Sequence, residues 1–224
     1  HGLAFEFKAD PPPDHSDGPV LTGHAAGVIT INIAEADDAE RERRRIQFHE
    51  PYRTLLGHFR HEVGHYYWDR LVRDDPARLA AFRERFGDER ADYGEALKRH
   101  YDQGPPADWQ ESFVTTYATA HPWEDWAETW AHYLHMVDTL ETAADCGLSI
   151  RPPDRDRPAL SRVPDPVGED DTPFRKLIDS WYPLTYVLNN LNRGLGLPDG
   201  YPFVLSKPAV QKLRFVHDTV AAAR

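Results

Sequence analysis

A chain of 224 residues, 40% hydrophobic and 12% aromatic, is long enough to bury one sizeable core. Its formal net charge of −11 argues against nucleic-acid binding, which needs a basic face, and no apolar run reaches the length of a membrane span. With one cysteine, Cys146, neither an internal disulfide nor a thiolate-rich zinc site can form, and a reducing, cytoplasmic setting is expected.

Residues 1–20, with Pro11, Pro12 and Pro13 among Asp and Gly, read as an irregular lead-in. Val28 to Ile33 is β-branched and follows Gly27, the signature of a strand. Asp37 to Arg45 is a charged, helix-favouring and solvated stretch. Beyond it the signals are helical, over about 51–73, 76–86, 90–101, 108–120, 122–144, 173–192 and 208–222. Pro51, Pro76, Pro122, Pro173 and Pro208 sit where first helical turns should begin. Asp75 and Thr172 are placed as N-caps, and Asp108 with Glu111 reads as a capping box. Cys146 to Asp171 is rich in Pro, Arg and Asp without periodicity, a long loop that either covers a cleft or forms a surface excursion. Gly194 to Pro208 is a second irregular segment, and no internal repeat is visible. These elements predict one domain over 1–224, of α+β class and mainly helical, with a small N-terminal sheet.

The chemistry concentrates in His61-Glu62-Val63-Gly64-His65. Four-residue spacing on a helix sets both imidazoles on one face, one turn apart, where they can grip one ion. Neutral imidazole suits Zn²⁺, and Glu62, next to the first histidine, can reach a water on that ion and take its proton. Leu55, Leu56, Phe59, Val63 and Tyr66 give the helix an apolar side. Two buried histidines need partners, and a metal is the natural one.

A catalytic zinc takes three protein ligands and keeps one position open. The metzincin spacing is ruled out, because Trp68 and Leu71 stand where Gly and His would be required. Glu124 and Glu128 share a face of a later helix, so one can bind the metal and the other can hold a ligand imidazole by hydrogen bond. Asp69, four residues beyond His65, is a second candidate for the third ligand; an exposed place or a supporting role behind His65 is favoured for it. His121 could stabilise an oxyanion or cap a helix, and His58 and Arg60 read as packing or charge-pairing residues.

H-E-x-x-H followed by a helix bearing Glu124-Asp125-Trp126-Ala127-Glu128 resembles the gluzincin metallopeptidases, and in particular the catalytic domain of the anthrax lethal factor type. The resemblance implies a zincin-like fold, one Zn²⁺ on His61, His65 and Glu124, Glu62 as general base and Glu128 as support for a ligand histidine. It also implies oxyanion stabilisation by Tyr117, seven residues before Glu124. The text from Gly57 to Leu71 and from Phe113 to Leu134 is similar to a bacterial family described as zinc-binding metallopeptidases. Members often carry an N-terminal zinc ribbon; with one cysteine, the ribbon is expected to be absent or removed here. The implied activity is peptide-bond hydrolysis, on a peptide or protein lying along the strand near Ile31 if that strand is an edge; an ordinary core strand over Val28 to Ile33 is the equal alternative. A zinc amidase acting on another amide, a latent enzyme and a non-catalytic zinc-binding interaction module are the alternatives.

Overall fold

The computed structural model describes residues 2–12, 18, 20–47, 54–153, 156–168 and 172–223, with only the backbone for 44–47. Its elements are β1 (Ala4–Lys8), β2 (Gly23–Ala25), β3 (Val28–Asn32), α1 (Asp38–Gln47), α2 (Leu55–Leu71), α3 (Pro76–Phe86), α4 (Tyr93–Gln103), α5 (Pro122–Asp145), α6 (Phe174–Gly194) and α7 (Lys207–Ala221). The class is the expected one: mainly helical, with a small N-terminal sheet. No helix among the described residues is long and apolar enough to cross a membrane.

The chain divides into two compact units, His1–Ala131 with Ser206–Lys212, and His132–Leu205 with Leu213–Arg224. In the first, the sheet has the order β1-β3-β2, with β1 parallel and β2 antiparallel to β3. The side-chain period of two turns Ile29 and Ile31 to one face, where both are buried. β2 and β3 join through Ala26 and Gly27, both at positive φ (50° and 87°), as a tight two-residue hairpin requires.

Two expectations are corrected here. The lead-in is not irregular throughout, because Ala4–Lys8 pairs with Val28–Asn32 from Ala4↔Val28 to Lys8↔Asn32. And the strand holding Ile31 is the middle of the sheet, paired on both sides, so it offers no edge to a peptide.

α2 starts after Thr54, whose hydroxyl accepts from Gly57 N–H at 2.9 Å; the predicted start at Pro51 lies outside the described residues. α3 follows its prediction, with Pro76 in the first turn and Asp75 accepting from Ala77 and Arg78 N–H, each at 3.0 Å. α4 begins at Tyr93, capped by Asp92, rather than near 90. Phe82 and Phe86 of α3 pack with Trp68 of α2 and Trp126 of α5, making an aromatic core.

No helix spans 108–120. Trp109–Glu111 and Tyr117–Thr119 form short 3-10 turns, and Asp108 makes no capping hydrogen bond. At the second turn threonine hydroxyls bond the local backbone: Thr115 Oγ1 accepts from Ala118 N–H at 3.1 Å, and Thr119 Oγ1 donates to Thr116 O at 2.7 Å.

The second unit holds the rest of α5, α6 and the end of α7. Thr172 does not cap α6; Pro173 stands at the cap, and the Thr172 hydroxyl donates to Asp165 O at 3.4 Å. Within the predicted 146–171 loop an antiparallel bridge joins Ile150 to Leu160. The segment after α6 is pinned by Asn189, which donates to Tyr201 O at 2.8 Å and accepts from Tyr201 N–H at 2.9 Å.

Candidate metal centre

The site lies in the first unit, where α2 and the first turns of α5 cross closely. Gly64 permits the approach: a Cβ there would stand 3.1 Å from Ala127 Cα and 3.1 Å from Trp130 Cβ. Trp126 Nε1–H donates to Gly64 O at 2.8 Å and ties the helices at that point. The crossing sets His61 and His65 against Glu124.

His61, His65 and Glu124 each offer one ligand atom, and these atoms lie within 4.8 Å of one another. Glu124 Oε2 is 2.9 Å from His61 Nε2 and 3.5 Å from His65 Nε2, and the two Nε2 atoms are 3.1 Å apart. All three residues are buried, Glu124 to 1% exposure. Two imidazole nitrogens and a carboxylate oxygen, converging in a dry setting, fit the donor set of a zinc site with an open position. His65 Nδ1 is buried without a hydrogen-bond partner among the described residues, unlike Nδ1 of His61.

Charges around the group are strongly coupled. Burial opposes charging His61, but hydrogen bonds and charge from Glu124 and Glu128 outweigh it and hold the imidazole well above its ordinary pKa. Burial would push the Glu124 carboxyl up; His65 and His61 outweigh it and hold it well below the usual carboxylate range.

Glu128 Oε1 is 2.6 Å from His61 Nδ1. Its Oε2 accepts from the Thr115 hydroxyl at 2.7 Å, so the supporting carboxylate is itself held. Glu62 follows His61 on α2 and is buried. The Tyr117 ring lies 5.8 Å from that of His61, and burial followed by the Glu124 charge raises its hydroxyl pKa well above the ordinary value.

Asp69 does not support His65. It pairs with Arg73, just beyond the end of α2, at 2.9 Å. His121 takes the capping role: Nδ1 accepts from Trp123 N–H at 3.1 Å and Nε2 lies 3.1 Å from Ala91 O. His58 faces the buried Glu35, the charge pairing expected of it.

Three site residues escaped the sequence. Tyr93 donates its hydroxyl to Glu124 Oε1 at 2.7 Å; burial, then the Glu124 charge, raises its pKa. Thr115 lies in a segment read as helix. His24 stands on β2, its ring 6.4 Å from that of His65 and stacked at 15°, with Nε2 accepting from Gly27 N–H at 3.0 Å. No local spacing joins any of them to His61, because each arrives through tertiary packing.

Comparison with known proteins agrees with this geometry. The chain is 51% identical over 220 residues to an uncharacterised protein of Mycobacterium tuberculosis and to one of Mycobacterium bovis. The match covers 98% of this chain and 60% of each relative, so the chain spans about three-fifths of their length. No solved structure gives a significant match. A family model described as "Putative zinc-binding metallo-peptidase" matches residues 1–219, and the chain belongs to that family.

Proposed function

We propose that this chain is a gluzincin-type metallopeptidase that hydrolyses peptide bonds with one zinc ion on His61, His65 and Glu124. The observation that carries the reading is the convergence of those three ligand atoms, with Glu128 behind His61 and Glu62 one residue along. Zinc bound there supplies a Lewis acid that acidifies water to near-neutral pKa and polarises a carbonyl. The remaining chemistry falls to side chains of this chain.

Glu62 takes the proton of the attacking water and later passes it to the leaving amine nitrogen, a role supported by its burial one residue along α2 from His61. Glu128, fixed by Thr115, keeps the His61 ring turned so that Nε2 faces the group's centre. Tyr117, held protonated by burial, is the donor for negative charge developing on the carbonyl oxygen. The substrate lies along β2 rather than the strand of Ile31, since β2 borders the sheet and carries His24 beside His65.

The test is Glu62→Gln on the full chain with a panel of peptides. The variant should bind zinc as the parent does and lose hydrolysis by at least about 1,000-fold. Equal turnover by the two proteins removes the mechanism.

A further inference from the structure

We infer that Tyr93 is a positioning residue of the metal centre, tethering the outer oxygen of Glu124 so that the inner oxygen alone faces the two imidazoles. The inference rests on the zinc reading above only in requiring that a metal bind the His61, His65 and Glu124 group.

The two oxygens of Glu124 have divided tasks. Oε2 points between the rings, 2.9 Å from His61 Nε2 and 3.5 Å from His65 Nε2. Oε1 accepts from the Tyr93 hydroxyl at 2.7 Å. A carboxylate with both oxygens free can close on a metal with both, or swing away from it. One with an oxygen committed to a donor presents a single oxygen and leaves a coordination position for other use.

Tyr93 is built to hold this place. It opens α4, with Asp92 accepting from Glu95 N–H at 2.8 Å. Its ring stands edge-on to His121, with centroids 5.2 Å apart, and lies 6.1 Å from Trp123. His121 links Ala91 O to Trp123 N–H, so the chain entering α4 is fastened to the start of α5, which also carries Glu124. Tether and ligand therefore share one frame. Tyr93 remains 39% exposed, so exchanging its hydroxyl for hydrogen opens no sealed cavity.

The experiment compares the full chain with Tyr93→Phe, and with Tyr101→Phe as a control on an exposed tyrosine of the same helix. Zinc affinity is measured by competition with a chromophoric chelator, and the cobalt-substituted proteins are compared by visible absorption. Tyr93→Phe should bind zinc about 10- to 100-fold more weakly. Its cobalt spectrum should lose intensity, as expected when coordination number rises, while Tyr101→Phe matches the parent in both. Parent-like zinc affinity together with a parent-like cobalt spectrum in Tyr93→Phe overturns the inference and leaves the zinc reading standing. If the parent protein itself binds neither metal, the zinc reading falls and takes the inference with it.

Discussion

Lys212 and Asp125 form a buried ion pair, Nζ to Oδ2 at 2.6 Å, one residue along from Glu124. Lys212 also donates to Ser112 O at 2.8 Å and lies over the Phe113 ring, 4.2 Å from its centroid. Burial pushes the Asp125 carboxyl up to about 7 even with the ammonium beside it, so desolvation outweighs the partner. Lys212→Met should cost about 3 kcal/mol in urea unfolding, because Asp125 is left buried without its counter-charge. Adding Asp125→Leu should recover part of that loss. A single-variant cost below about 1 kcal/mol would show that the pair contributes no more than an exposed one.

Gly64→Ala tests the helix crossing. The added methyl meets Ala127 Cα at 3.1 Å, a backbone atom that cannot turn aside. Separation of α2 from α5 should cost about 1–3 kcal/mol and reduce bound zinc in elemental analysis of the purified protein. Parent-like metal content and stability would mean that the helices tolerate a wider spacing.

The Glu128 carboxylate can be tested by contrast. Glu128→Ala removes the acceptor from His61 Nδ1 and the partner of Thr115, and zinc affinity should fall about 10- to 100-fold. Glu128→Gln keeps an acceptor oxygen and should lie between Ala and the parent. Equal affinities in all three proteins would leave His61 oriented by packing alone.

A pH effect is expected away from the metal. Arg83 grips Glu89 through Nε at 2.9 Å and a second bond from Nη2, holding the carboxyl below its ordinary value. The unfolded chain then takes up the proton more readily than the folded one. The pair's contribution, about 1 kcal/mol, is present above the unfolded pKa and is lost as pH falls through the lower folded value. Melting curves of Glu89→Gln should be less stable than the parent at neutral pH and converge with it in acid; a constant gap down to strong acid would exclude the ionisation as its source.

What the sequence disclosed follows from the range of the interactions. The facing of His61 and His65, like that of Glu124 and Glu128, obeys a one-turn rule that any helix enforces, so both pairs are legible at once. The union of the pairs is not: it depends on Gly64 admitting Trp130 and Ala127, and the resemblance to a known family supplied what periodicity could not. β1 escaped because its strand character comes from parallel pairing with β3, a partner far along the chain. The segment after Asp108 has helical composition, yet the Thr115 hydroxyl serves Ala118 N–H and Glu128 instead of a helical turn. Tyr93 lies 31 residues before the carboxylate it holds, and nothing in its neighbourhood announces that partner.

β2 is three residues long. A peptide added to so short a border gains at most about two main-chain hydrogen bonds, since alternate residues of a strand point their backbone groups outward. Most of the grip on a bound chain must then come from its side chains. Libraries varying residue identity around the scissile bond should therefore separate good from poor substrates more sharply than libraries varying only peptide length.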